Sequence, residues 1–306
     1  MNKKLFAALV GLSLIWGASF YFIKVLLDDF GPWSIAMLRS IFGAVVLLAV
    51  MLLLRQPLGV RQYPWLPLIF VGLFNTAVPW ALIGWSETEI SSSMASVLNA
   101  TTPLWTLLVG LFLFQGKAAG RQWGGMAIGF LGLLILLKVN PVTIISVNGW
   151  AVLAMLAATL CYGISGQISR RYLGGMSVYQ ISLSTLLIGC VGSGIAAFAI
   201  EGISFAPLAS PHILLMLAGL GGFGSGIAYL LFYFMIQRGS AEFASLVTYL
   251  VPVTAILWGY LLLAEPVEWN LLAGLVCILA GVYLAGSRPA NVKQTEQQIA
   301  PQRVRH

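Results

Sequence analysis

Run after run of about twenty apolar residues, parted only by short polar breaks, restricts this chain to one kind of surroundings. A hydrocarbon layer roughly 30 Å thick takes about 20 residues of helix to cross. The runs fall near residues 5–26, 32–54, 65–85, 91–114, 121–137, 149–169, 176–199, 209–236, 240–263 and 268–286. A soluble globule of 306 residues has no room to hide them, because 59% of the side chains are hydrophobic, 8% are charged and the mean hydropathy is +0.94. The expected fold is therefore an all-α integral membrane protein with ten transmembrane helices. A β-barrel is excluded because its strands alternate with a period of two, whereas Ala44 to Leu54 reads AVVLLAVMLLL without a polar position.

Basic residues collect in cytoplasmic loops, so they test these boundaries independently of hydropathy. With the N-terminus inside, Lys3, Lys4, Arg55, Arg61, Lys117, Arg121, Arg170, Arg171, Arg238, Arg288, Lys293, Arg303 and Arg305 all fall on the cytoplasmic side, and Lys138 alone falls outside. Acidic residues do the reverse: Asp28, Asp29, Glu87, Glu89, Glu201, Glu265 and Glu268 lie outside, Glu242 and Glu296 inside. One invented or missing helix would scramble this alternation from that point on. Both termini are expected in the cytoplasm, with residues 287–306 a polar tail. The apolar start with Lys3 and Lys4 imitates a signal peptide, but the alternation requires that first helix to stay.

The net charge of +7 is spread over loops and tail and is no nucleic-acid patch. Cys161, Cys190 and Cys277 sit singly in apolar runs, and His212 and His306 are the only histidines, so neither a disulfide framework nor a metal site is implied. No Ser/His/Asp set shares a depth, which argues against an enzyme, and no cofactor is implied. GLGGFG, Gly219 to Gly224, matches a dinucleotide-binding pattern by letter, yet no strand precedes it. Gly219, Gly222 and Gly226 read better as a flat face for close helix packing.

The chain also repeats itself. Shifted by 149 residues, Ala95, Ser96, Pro103, Leu108, Gly110, Leu113, Gly125 and Gly132 fall on Ala244, Ser245, Pro252, Leu257, Gly259, Leu262, Gly274 and Gly281. Shifted by 146, Trp16-Gly17 falls on Tyr162-Gly163, Ser19 on Ser165 and Lys24 on Arg170. Residues 5–138 and 149–286 then form two halves of five helices. Five is odd, so the second half enters the membrane in the opposite sense, as in the inverted repeats of secondary transporters.

SLIWGASFYFIK (Ser13 to Lys24), MLRS (Met37 to Ser40), the spans around Pro103 and Pro252, and AEPVEWNLLAGLVCILAGVYL (Ala264 to Leu284) together resemble the EamA family of the drug/metabolite transporter superfamily. The resemblance covers about Leu5 to Ala285. It implies a ten-helix, multi-pass carrier in the plasma (inner) membrane of a bacterium, often an exporter of amino acids or related metabolites. It also implies a central cavity among helices 1, 3 and 4 and their counterparts 6, 8 and 9. One departure is that Gln115-Gly116-Lys117 stands where the second half has Ala264-Glu265-Pro266, so the acidic helix end occurs once.

Side-chain spacing nominates the lining of such a cavity. Asn99, Thr102, Pro103 and Thr106 share one helical face, as do Ser245, Thr248 and Pro252. Each proline removes the usual donor to the carbonyl four residues back, of Asn99 and Thr248, which then faces protein, water or substrate. The rival reading is a kink that shapes packing, with hydroxyls bonding back to their own helix. Trp16, Trp80, Tyr162, Tyr229 and Tyr233 offer an aromatic wall and Asn75 a further polar group, whereas Trp65, Trp85, Trp123, Trp150 and Trp269 near span ends fit an interfacial belt. Lys24 is placed to reach headgroups or pair with Asp28. Arg39 lies about 10 Å inside its span, where a cation costs about 2.5–3.5 kcal/mol on insertion scales, and it either holds backbone carbonyls or faces a substrate carboxylate. No Asp, Glu or His lies deep in a span, which disfavours efflux of lipophilic cations. The expected partners are the bilayer and a small metabolite. Proton or voltage coupling stays open through Glu87, Glu89 or Glu265 at the outer mouth, and a channel or non-transporting scaffold is the alternative.

Overall fold

The computed structural model describes residues 3–60, 63–112, 120–136, 148–238 and 247–286. Among these every regular element is helical. In chain order they are α1 (Lys3–Leu26), α2 (Pro32–Leu53), α3 (Trp65–Glu89), α4 (Ser92–Phe112), α5 (Gly120–Leu136), α6 (Gly149–Tyr172), α7 (Val178–Glu201), α8 (Pro211–Phe232, helical on to Arg238), α9 (Val247–Leu263) and α10 (Trp269–Gly286). Seven of them, α1 to α4 and α6 to α8, are long and apolar enough to cross a membrane, and α9 and α10 carry shorter apolar stretches. Large apolar side chains face outward, with Leu53 and Leu66 each 82% exposed. That surface suits lipid, while backbone groups are satisfied within the helices.

Several starts have local causes. Gly31 and Pro32 open α2, where proline supplies a helical φ and loses no bond because the first N–H groups are free anyway. Ser91 accepts from the Met94 N–H to cap α4, and Ser177 with Gln180 forms a capping box on α7. The end of α9 is shaped by Ala264 at φ 51, which turns the chain so that the Glu265 N–H reaches the Gly259 carbonyl at 3.1 Å.

Helix pairing follows a pattern. The α5–α10 pair is antiparallel and close: a Cβ at Gly281 would lie 2.6 Å from the Gly125 carbonyl oxygen, and one at Gly132 would lie 2.9 Å from that of Gly274. Helix α2 lies antiparallel to α7. Further pairs are α1–α9 and α4–α6, α2–α8 and α3–α7, and α1–α8 and α3–α6. Shifting every helix number by five exchanges the members of each such couple.

Three helices loosen into π turns, α7 at its end (Ala197–Glu201) and α3 and α8 at matching places. In α3 the π segment is Leu73–Ala77, and in α8 it is Ala218–Ile227, so residues 73–77 fall on 222–226 at the 149-residue offset. In α3 the cause is partly Pro79, which cannot donate to the Asn75 carbonyl, and partly Thr76, whose hydroxyl bonds the carbonyls of Gly72 and, at 3.2 Å, Thr185. The wider turn also revises the packing face of α8. Gly219, Gly221 and Gly226 make the close approaches to Phe22, Arg39 with Phe42, and Val46, whereas a Cβ at Gly222 would only touch Val46 at 3.5 Å. Five residues from 221 to 226 suit a π turn, and the expected spacing assumed an α-helix.

The ends of α2, α3 and α4 near Gly31, Glu87 and Ser91 differ from expectation. Glu87, drawn in a loop, lies in the last turn of α3, fully buried, with no hydrogen bond to either carboxyl oxygen. Lys24 neither pairs with Asp28 nor reaches outward: its ammonium donates to the carbonyls of Glu87 and, at 3.2 Å, Ile90. Those are open carbonyls at the end of α3, where a cation also complements the helix dipole. Glu201 caps α2, accepting from the N–H groups of Trp33 (2.8 Å) and Ser34 (2.9 Å) and from the Ser34 hydroxyl (2.6 Å). Glu265 caps α4 likewise, from the N–H groups of Ser92 (2.7 Å) and Ser93 (3.0 Å) and the Ser93 hydroxyl (2.5 Å). Three helix ends are thus each stitched to a distant part of the chain: α2 to the end of α7, α3 to α1, and α4 to the connection after α9.

Candidate functional site

A cavity of about 340 Å³ opens between the halves. Trp16 on α1, Arg39 on α2, Asn75 and Trp80 on α3, Asn99, Thr102 and Pro103 on α4, Tyr162 on α6, Tyr229 on α8, and Thr248 and Pro252 on α9 all line it. Those are eleven of the residues nominated from the sequence. The twelfth, Tyr233, has its side chain outside the described part of the structure, and Ser245 lies outside it altogether. Thr106, placed on the same face as Thr102, turns away from the lining, and its carbonyl accepts from Gln167 on α6 at 3.0 Å.

The proline in α4 acts differently from its counterpart. Residues 100 and 101 leave the helix, and Pro103 stands near the start of its second segment, Thr102–Phe112. The Thr102 hydroxyl donates to the Asn99 carbonyl at 2.7 Å, and Thr101 does the same for Leu98 at 2.7 Å. The carbonyl expected to lack a partner is therefore closed by its own helix, while the Asn99 amide oxygen is buried without a partner. Pro252, by contrast, sits inside continuous α9. Both prolines line the cavity, one beside a break and one inside an unbroken helix.

The aromatic residues are not free walls. The Trp16 indole N–H donates to the Gly224 carbonyl in the π segment of α8 at 3.1 Å, and its ring packs on Phe232 at 5.7 Å. Trp80 is buried with the Arg39 guanidinium 4.0 Å from its ring centre, a cation–π arrangement. Arg39 is 8% exposed. Its Nε donates to the Ser225 hydroxyl at 3.0 Å. No backbone carbonyl and no carboxylate among the described residues receives a bond from it, so of the two roles expected for this cation, holding helix ends is not the one observed.

Spacing within single helices missed Ser19, Phe20, Ile23, Ile83, Ala100, Gly224 and Val251 in the lining, and Ser225 beneath Arg39. The repeat carried a usable signal for two of them. Asn75, nominated from the sequence, maps onto Gly224 at the 149-residue offset, and its neighbour Thr76 onto Ser225.

Known proteins share both the sequence pattern and the fold. The profile of the EamA-like transporter family matches residues 4–138 and again residues 149–287. The chain belongs to that family. As a member it is a multi-pass membrane protein and, in general terms, a membrane transporter. It is 29% identical over 293 residues to "Uncharacterized inner membrane transporter YedA" of Escherichia coli K12, covering 93% of this chain and 94% of that one. It is 23% identical over 281 residues to "Uncharacterized transporter YoaV" of Bacillus subtilis 168, covering 92% and 96%. A crystal structure without a functional description matches the fold with a TM-score of 0.66 at 19% identity, covering 94% of this chain and 98% of its own.

Proposed function

We propose that this family member is a secondary-type transporter, with ten membrane helices in two inverted repeats of five, that moves small organic metabolites by alternating access in the inner membrane of a bacterium. Amino acids or related compounds, exported, are the leading cargo. The single observation that carries this reading is the cavity between the halves, lined from both by residues at corresponding repeat positions: Trp16 with Tyr162, Trp80 with Tyr229, Pro103 with Pro252, Asn75 with Gly224. The exchange of helix pairs under a shift of five, and the matched π segments, support the repeat.

Rocking of the halves depends on where the helices are tied. Glu201, Glu265 and Lys24 close one end of the bundle by polar bonds to helix termini. Such ties can be exchanged for water one at a time, whereas the α5–α10 contact is backbone against backbone and suits a fixed support. The test is reconstitution into proteoliposomes, with counterflow of a labelled metabolite pool, amino acids included. Saturable counterflow is expected, and unitary currents in place of it would make the protein a channel. Trp16→Ala and Asn99→Ala should each lower counterflow several-fold with expression and insertion unchanged. Undiminished transport by both would remove them from the path.

A further inference from the structure

We propose that Arg39 sets the charge of the cargo, and that the cavity binds a small organic monocarboxylate as a net anion in preference to a zwitterion or a cation. The inference rests on the carrier reading above and replaces its leading cargo, because amino acids are zwitterions and the cavity favours related acids without the amine. The guanidinium is held on two sides. Ser225 takes the Nε–H at 3.0 Å and the Trp80 ring covers one face at 4.0 Å, which leaves the two terminal nitrogens as an open fork. A fork of that kind fits a carboxylate with two parallel bonds. Gly224 lies beside the fork, where a Cβ would come 4.0 Å from a terminal nitrogen of Arg39.

The repeat shows that the charge is not needed to join the helices. At the 146-residue offset Arg39 falls on Thr185, and at the 149-residue offset Thr76 falls on Ser225. The second pair meets too, as Thr76 donates to the Thr185 carbonyl at 3.2 Å. Both hydroxyl residues sit equally close to a glycine: a Cβ added at Gly43 would lie 2.9 Å from the Cβ of Ser225, and one added at Gly189 would lie 2.9 Å from that of Thr76. In one half the hydroxyl bonds a backbone carbonyl and no charge is involved. In the other half the matching hydroxyl accepts from a buried cation that faces the cavity.

Among the described residues of the cavity, nothing balances that cation. The lining contains no Asp or Glu. Glu87, the buried carboxyl of α3, lies outside the lining, its oxygens bond nothing, and the Lys24 ammonium sits on the backbone carbonyls of the same helix end. A monoanion entering the cavity leaves it neutral, whereas a zwitterion leaves the positive charge uncompensated and a cation doubles it. The buried amide oxygen of Asn99 accepts a hydrogen bond from a hydroxyl or N–H elsewhere on the cargo, and Trp16, Tyr162 and Tyr229 enclose its carbon skeleton.

The experiment uses the full chain, purified and reconstituted. Monocarboxylates from acetate to phenylacetate, with and without a hydroxyl group, are compared with their amides and with the matching amines, first by ligand-induced thermal stabilisation and then by competition in counterflow. At least one acid should bind, its amide at least about tenfold more weakly, and its amine not at all. Arg39→Gln should bind acid and amide equally, and Arg39→Lys, which keeps the charge without the fork, should fall between. Equal binding of acid and amide by the unaltered protein, binding of none of the acids, or an acid preference that survives in Arg39→Gln would overturn the proposal. Counterflow of neutral or cationic compounds without acid preference would overturn it and leave the carrier reading standing. Arg39-dependent acid binding with no counterflow of any compound would do the opposite.

Discussion

Replacing Glu265 by alanine should loosen α4 more than any exposed charge change does. The carboxylate is 9% exposed and takes three bonds of 2.5–3.0 Å from Ser92 and Ser93 at the start of that helix. Each such charge-assisted bond contributes about 1.5–3 kcal/mol net. The three share one carboxylate and do not add. Leaving a buried donor without its acceptor costs about 1–3 kcal/mol, and two N–H groups lose theirs, so the loss is about 3–5 kcal/mol. At about 2 °C per kcal/mol, the low end of the scale for large chains, the midpoint of thermal unfolding in detergent should fall by roughly 6–10 °C. Glu265→Gln keeps one acceptor oxygen and should lose about half as much. Glu89→Gln, on an exposed side chain near the same helix ends, is the control and should shift nothing. An alanine variant that unfolds with the Glu89→Gln control would show that the α4 cap is not held by Glu265.

Other consequences can be measured on the same preparation. Ala264→Gly should raise stability by about 0.5–1 kcal/mol, because φ 51 disfavours a Cβ; a lower unfolding midpoint would contradict it. Glu87→Leu should be neutral or stabilising by about 1–3 kcal/mol, since it removes two buried oxygens that bond nothing; marked destabilisation would reveal a partner. Gly281→Ala should cost about 1–3 kcal/mol by forcing α10 off the backbone of α5, while Gly11→Ala, with open space around it, should not. Equal midpoints for the two glycine variants would refute the close approach.

The residues nominated for the cavity could be recognised because cost made them conspicuous. Arg39, Asn75, Asn99 and Pro103 are expensive inside an apolar run, and for Asn99 and Pro103 the repeat offered a counterpart in Thr248 and Pro252. Trp16 and Tyr162 stood out in the same way, since an aromatic at mid-span cannot serve an interfacial belt. Ser225 and Gly224 carried no such mark. A serine and a glycine are cheap anywhere in a membrane helix, and only the π segment of α8 turns them toward Arg39. Glu87 was misplaced because helix α3 runs one turn past its apolar stretch, to Glu89, and hydropathy does not record where a helix ends when a lysine from another helix binds its last carbonyls.

The order of residues alone thus settles the solvent this protein folds in, the helical class and the approximate limits of most helices. Those depend on transfer free energies and on spacing along the chain, which are local properties. Helix packing assigns each polar group its work: Glu201 and Glu265 cap other helices, Lys24 closes the end of α3, and Arg39 keeps an open fork toward the cavity. A hydrogen bond forms where two groups come within about 3 Å, and residues 34 and 201, or 39 and 225, reach that distance only when helices far apart in the chain pack together.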